Sequence, residues 1–229
     1  MTYNSWPIGQ LPEDFKRPEL DIVMKEYGLT NPMDVVDKFE KTIAEYAGSR
    51  YAVAVDSCTN ALFLCLKYCC EYTPFDKIII PANTYISVPQ TILNAGFKLE
   101  FYYTEWYGYY VLWPFPIYDM AVRFTKGMYV SGFCCLSFQI KKRLPIGKGG
   151  MILLNNTWDY EWLKKARYEG RDITKPYEED MIEFTGWNMY MTPEDAARGL
   201  LLFNKLPEHN EDICDWSNYP DLRRQKVFQ

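Results

Sequence analysis

Four short stretches carry side chains whose type and spacing could do chemistry. Asp56-Ser57-Cys58-Thr59 stands between an apolar run and a helical one. Backbone N–H groups at such a junction, with two hydroxyls, make either an anion site or an ordinary helix cap. Asp119, in Ile117-Tyr118-Asp119-Met120-Ala121, ends a short apolar run. Open α/β sheets put ligand groups there, and a turn carboxylate would stand there equally well. Ser137-Phe138-Gln139-Ile140-Lys141-Lys142-Arg143 leads through Gly147-Lys148-Gly149-Gly150 into another apolar run. That is a basic loop or solvated hairpin, and it lacks the Gly-Lys-Ser/Thr order of a nucleotide P-loop. Gly186-Trp187-Asn188-Met189-Tyr190-Met191-Thr192 is an aromatic loop before a helix start. The single histidine, His209, excludes a two-histidine zinc site and a His-Glu-x-x-His helix. A Ser-His-Asp triad would have to rest on His209 within the polar stretch Pro207–Glu211. Chemistry therefore falls to Lys, Asp, Glu, Tyr, Cys or a cofactor.

These stretches need elements to position them. Val35, Val36, Phe39, Ile43 and Tyr46 recur at helical spacing between Asn31-Pro32 and Gly48. Tyr51–Val55, Lys77–Pro81 and Lys98–Tyr102 read as strands, the first two buried, and helices with Leu62, Cys65, Leu66 and Cys69, and over Val88–Asn94, fall between them. Tyr109–Leu112, Ile117–Tyr118, Met128–Gly132 and Gly149–Asn155 are further strand candidates, with Pro114 and Pro116 separating the first two. Trp158–Tyr168 reads as a helix ending at Gly170, and Thr192-Pro193-Glu194-Asp195 starts another. This alternation predicts an α/β fold with parallel strand pairs. Residues 1–31, with Pro7, Pro12 and Pro18, read as an irregular arm with a turn of helix near Asp21–Glu26. Residues 208–229 read as a polar, mobile tail. No repeat or linker divides the chain, so one domain over 1–229 is expected.

Composition narrows the partners. With 25 Lys+Arg against 30 Asp+Glu there is no basic excess, which points away from nucleic acid and from an anionic membrane surface. Apolar runs fall short of the ~20 residues that span a bilayer, and no secretory signal is visible at the N-terminus. The seven cysteines are odd in number and lack C-x-x-C spacing. They read as reduced, mostly buried thiols of a cytosolic protein, and a thiol-based activity finds no low-pKa context. The aromatic run Phe101–Phe115 predicts one exposed patch, an interface or a cleft.

Taken together and in order, the four stretches resemble the DegT/DnrJ/EryC1/StrS family of sugar aminotransferases, which use pyridoxal phosphate. The resemblance spans about residues 33–206. FEKTIAEYAGSRYAVAVDSCTNALFLCL is similar to the family's first helix, strand and phosphate turn, and IIIPANTYISVPQTILNAG to its second strand and helix. YDMA is similar to the segment bearing the acid that pairs with the pyridine ring, and SFQIKKRLPIGKGGMI to the lysine segment. EGRD and GWNMYMTPEDAARG resemble the late loop and helix.

The resemblance implies roles for individual residues. Lys142 falls on the lysine that holds the cofactor covalently, with Lys141 the alternative if the loop register differs by one. Asp119 falls on the carboxylate at the ring nitrogen, and Tyr85 on the aromatic that stacks on the ring. Cys58, Thr59 and Ser137 fall on the phosphate cradle. Asn188 falls on a residue that reaches the cofactor phosphate of a partner subunit. The implied fold is the large domain of aspartate-aminotransferase-type enzymes, a mostly parallel sheet flanked by helices, with the small C-terminal domain largely missing. The implied activity is transfer of an amino group to a nucleotide-linked keto sugar, glutamate being the donor, in a cytoplasmic homodimer with shared sites. Lys142 points away from the related class that eliminates water and has His at that place. The sequence also departs from the family: Cys58 stands for Gly, Val122 for Gln or His, Gln139 for His, Tyr190 for Arg, and the stretch between Tyr103 and Ile117 is short. Those losses motivate an alternative, a non-catalytic binding or assembly protein on the same fold.

Overall fold

Period-two burial in the strands decides the architecture. The computed structural model describes residues 17–229. In β1 (Tyr51–Val55), Val53 and Val55 point to one core and Ala52 and Ala54 to another. In β7 (Gly150–Leu154), Ile152 and Leu154 divide from Met151 and Leu153 in the same way. A strand buried on both faces needs a layer on each side. One layer is made by α3 (Cys58–Tyr72), α4 (Ser87–Asn94) and α5 (Thr157–Ala166). The other is made by α1 (Pro18–Tyr27), α2 (Met33–Ala47) and α6 (Pro193–Phe203).

With β4 (Tyr110–Val111), β5 (Ile117–Asp119) and β6 (Phe133–Ser137), the main sheet has the order β1-β7-β6-β5-β4. β5 and β6 are parallel, whereas β7 is antiparallel to both neighbours and β4 is antiparallel to β5. The sheet is thus mixed rather than mostly parallel. The cause is local: the loop 138–149 returns the chain directly, as a long hairpin, instead of crossing over through a helix. β2 (Lys77–Pro81) and β3 (Lys98–Tyr102) form a separate parallel pair. Ile79 and Trp113 exchange backbone hydrogen bonds of 2.8 and 3.1 Å, tying that pair to the continuation of β4.

Three sequence expectations shift. Pro18 opens a ten-residue helix, α1, where an irregular arm was expected; residues 1–16 lie outside the described residues. Arg17 and Glu19 pair with Asp195 and Arg198 of α6 at 2.8 Å each, which docks α1. The strand expected over Met128–Gly132 is a turn between Gly127 and Gly132, both in the left-handed region, and the strand begins at Phe133. The polar segment 208–229 packs back on the protein. Glu208 and Ile213 join Lys126 and Val122 by backbone hydrogen bonds, Leu222 joins Ala82, and Asp215 and Asp221 cap short turns. Its polar residues serve as caps and pairs, a use that composition alone does not distinguish from solvation. No helix among the described residues is long and apolar enough to cross a membrane.

One buried polar cluster locks the layers. Glu40 of α2 accepts from Ala54 N–H of β1 at 2.8 Å, from Lys164 of α5 at 2.8 Å and from Arg167, which also donates to the Ala54 carbonyl. Glu40 and Arg167 are almost fully buried. Removing one partner of such a pair strands the other charge. Glu40→Ala is expected to lower stability by about 3–5 kcal/mol, measured by urea denaturation; a loss within a few tenths of a kcal/mol would contradict the role given to the cluster.

Candidate active site

Strand direction gathers the candidate residues. β1, β5 and β6 all run the same way, because β7 reverses between β6 and β1. Their carboxyl ends therefore lie on one side of the sheet, the side where open α/β sheets bind ligands. Ser57 follows β1, Asp119 ends β5 and Ser137 ends β6. A cavity of about 600 Å³ opens there. Cys58, Thr59, Tyr85, Asp119, Ser137 and Lys142 all line it. Asn188 does not: it is exposed, and its side-chain amide donates to Glu169 at 2.7 Å. His209 is exposed and lies outside the cavity lining.

Each wall has a local cause. At the start of α3, Ser57 caps the helix by accepting from Asn60 N–H at 3.1 Å. Ser57, Cys58 and Thr59 of that first turn line the cavity, and the N–H groups and dipole of a helix start with a hydroxyl beside them are a donor set suited to a phosphate. Thr59 Oγ1 lies 3.1 Å from Ser87 Oγ. Gly150 makes this possible, since a Cβ there would sit 2.4 Å from the Ser57 carbonyl carbon and 2.5 Å from Cys58 N. Close approach of β7 to the helix start thus requires glycine. The lysine loop is pinned by Phe138 N–H to the Gly149 carbonyl at 2.9 Å and by buried Leu144 and Ile146. Its turn at Gln139–Lys142 makes Lys142 half-buried and leaves Lys141 exposed. Both line the cavity, and it is Lys142 whose charge acts on Asp119.

Asp119 is the buried acid of the site, at 6% exposure. Its Oδ2 accepts from the Tyr110 hydroxyl at 2.6 Å and its Oδ1 from Ala121 N–H at 2.9 Å, with Cys58 Sγ at 4.0 Å. Among the described residues it forms no ion pair within 4 Å. Burial pushes its carboxyl above the usual carboxylate range, while Tyr110, Ala121 N–H and the Lys142 charge pull the other way. The Cys58 thiol is pushed up by burial and by Asp119, so it stays protonated. The seven cysteines form no disulfide, and the Cys65 and Cys135 sulfurs sit 3.8 Å apart as a hydrogen-bonded thiol pair.

Several lining residues had no signal as site residues in the sequence. Trp106 and Tyr110 belong to the aromatic run, which divides: these two are buried, whereas Tyr102, Tyr103, Tyr107 and Trp113 are exposed. Ile213, Cys214, Asn218 and Tyr219 come from the segment read as a tail. Asn83 holds the Tyr219 carbonyl at 2.9 Å, Trp106 Nε1 donates to the Asn83 carbonyl at 2.8 Å, and Trp106 packs on Tyr219 at 5.7 Å. Polar composition hid a segment whose few apolar residues dock one by one.

The family model of the DegT/DnrJ/EryC1/StrS aminotransferase family matches residues 13–103 and 127–214. The chain belongs to that family. Its enzymes are pyridoxal-phosphate-dependent sugar aminotransferases. The chain is 44% identical over 61 residues to the spore coat polysaccharide biosynthesis protein SpsC of Bacillus subtilis, covering 27% of this chain and 15% of that protein. It is 25% identical over 226 residues to the GDP-perosamine synthase of Caulobacter vibrioides, covering 78% of this chain and 60% of that enzyme. A crystal structure of a putative PLP-dependent aminotransferase from Bacillus cereus superposes with a TM-score of 0.66 at 17% identity, covering 88% of this chain and 64% of that one. At that identity the likeness is one of fold, and it agrees with the α/β architecture. In each comparison the match covers less than two thirds of the relative. The family match skips 104–126, the stretch that carries Tyr110, Asp119 and Val122.

The raised Asp119 carboxyl has a consequence for stability. The native state holds that proton more tightly than the unfolded chain, so the associated stability is complete at low pH and is lost as pH rises through the native midpoint. Asp119→Asn, measured without added cofactor, is expected to exceed the wild type in stability at neutral pH. The gain should vanish below the ordinary carboxylate range. Urea titrations at both ends check this, and a wild type that is the more stable at neutral pH would show that the donors outweigh burial.

Proposed function

We propose that the cavity binds pyridoxal phosphate and that the chain is an aminotransferase acting on a nucleotide-linked keto sugar. The observation that carries the reading is a carboxyl group that has no counter-ion among the described residues, buried at the end of β5, with Lys142 on the same cavity close enough for its charge to act on it. An acid so placed suits a cationic ring N–H, and a lysine opposite suits covalent attachment to an aldehyde. Thr59, Ser137, the Cys58 N–H and the helix start would hold the phosphate, and Tyr85, 60% exposed, offers a face for the ring. The cofactor, when bound, supplies an electron sink for the substrate carbon.

The chain's own residues do the rest. Asp119 would accept the ring N–H and keep that proton in place. The helix start would fix the phosphate, which restricts the reacting atoms to one orientation. Lys142 Nζ would take and return a proton at the reacting carbon. The outer lining, with Trp106, Tyr219 and Asn218, leaves room for the sugar, and its nucleotide extends toward the exposed Lys141 and Lys148. The Caulobacter relative is named as a GDP-perosamine synthase, which supports a nucleotide sugar of that class; glutamate as donor rests on the family resemblance alone. We read the assembly as a homodimer in a reducing cytoplasm; Asn188 is exposed at the surface with its amide on Glu169, and seven thiols without a disulfide fit that compartment. One observation favours the non-catalytic alternative: Ile213, Cys214, Asn218 and Tyr219 of the chain's own C-terminal segment form part of the cavity wall.

Added pyridoxal phosphate is expected to give a visible absorbance band and, after borohydride reduction, an adduct that peptide mapping assigns to Lys142. Lys142→Ala should lose both. An adduct on Lys141 would move the attachment by one residue, and no adduct anywhere would sink the reading. A band that persists without amino transfer to any of a panel of GDP- and UDP-linked keto sugars would favour the binding protein.

A further inference from the structure

Tyr110 opens β4 and pairs in register with Asp119 at the end of β5. Directly opposed residues of an antiparallel pair send their side chains to the same face, which brings phenol and carboxylate together. The phenol is buried and packs on Trp106 at 4.9 Å between ring centres. Its one proton is committed to Asp119 Oδ2 at 2.6 Å. Its oxygen therefore accepts from Thr84 Oγ1, a buried hydroxyl on the loop after β2. The chain Thr84 to Tyr110 to Asp119 crosses three separate segments, and Val122 beside it brings no side-chain polar atom to the cavity.

We propose that Tyr110, fixed by Thr84, is a positioning residue that holds the Asp119 carboxylate charged and aimed into the cavity for a cofactor's ring N–H. This rests on the pyridoxal phosphate reading. Burial works against charge on Asp119, and the phenol is its strongest direct support. The ionisable groups around it are Cys58 and Cys135 from α3 and β6, Tyr219 from the C-terminal segment and Lys142 from the loop. Burial keeps the two thiols and the phenol of Tyr219 neutral, so Lys142 is the one cation in that set. Without the Tyr110 hydroxyl the acid would take up a proton more readily, and a neutral acid no longer matches a cationic N–H.

The test uses the carboxyl carbon of Asp119, followed by NMR in protein labelled at aspartate and assigned with Asp119→Asn. Tyr110→Phe keeps the ring and its packing, and its Asp119 midpoint is expected to move up. Thr84→Val should move it in the same direction by less. With pyridoxal phosphate added, Tyr110→Phe should bind at least about tenfold more weakly, the size of a lost hydrogen bond to a charge, and the absorbance band should titrate at a changed pH. If Tyr110→Phe does not fold, the Thr84→Val shift decides alone. An Asp119 midpoint unchanged in every folded variant overturns the proposal. A wild type that binds no pyridoxal phosphate, yet shows the shift, removes the cofactor reading and leaves the hold of Tyr110 on Asp119 standing. A wild type that binds it and shows no shift removes this inference alone.

Discussion

A carboxylate taken out of water costs several kcal/mol unless donors replace its hydration. At Asp119 those donors come from distant parts of the chain: a phenol from β4, the Ala121 N–H two residues on, and a thiol from the first turn of α3. None is cationic. Among the described residues the acid has hydrogen-bond donors and still lacks a counter-ion, a condition that leaves a binding energy to be collected by a positively charged ligand group. The Thr84 hydroxyl reaches that acid through Tyr110, and the lysine loop lines the same cavity.

The sheet is what allows such a convergence. Three strands end on one side only because β7 enters in reverse between β6 and β1. The same reversal brings Gly149 and Gly150 beside Ser57, so the helix start that would hold a phosphate and the loop that carries Lys142 become neighbours. On the far face, the Glu40–Arg167–Lys164 cluster ties α2 and α5 to β1, and so fixes the strand from which α3 springs. A fault in the cluster would reach the site through β1, without touching any lining residue.

Much of this was legible in the sequence, for reasons that differ by element. α2 declared itself by its apolar spacing and its glycine stop, and β1 and β7 by apolar runs with no polar alternation. The six cavity residues are placed by the resemblance to the family, since read alone their stretches are equally caps, turns and a solvated hairpin. The mixed sheet could not be read, since strand direction is set by the path of a connecting loop rather than by residue type. Phe133–Ser137 was missed in favour of Met128–Gly132, because both are apolar and only the left-handed Gly132 separates turn from strand. Tyr110 was invisible as a site residue: one tyrosine in an aromatic run carries no mark of which neighbour its hydroxyl meets.

Two of the segments that the family match leaves out, 104–126 and the residues after 214, are packed on each other. Tyr107 bridges to Asp215, Trp216 N–H reaches the Trp106 carbonyl at 3.3 Å, and Trp106 stacks near Tyr219. Just inside the matched region, Asp212 takes both ends of the Arg123 guanidinium at 2.9 and 2.7 Å. A bidentate pair fixes orientation as well as distance, so each segment sets the position of the other. Trp106, Tyr110 and Tyr219 then enter the cavity wall as a group, and a change in one segment would be felt at Asp119 through the other. The ends of β1 and β6 bring Ser57 and Ser137 to the cavity, while this pair of segments brings Trp106, Tyr110, Asp119 and Tyr219 to its wall.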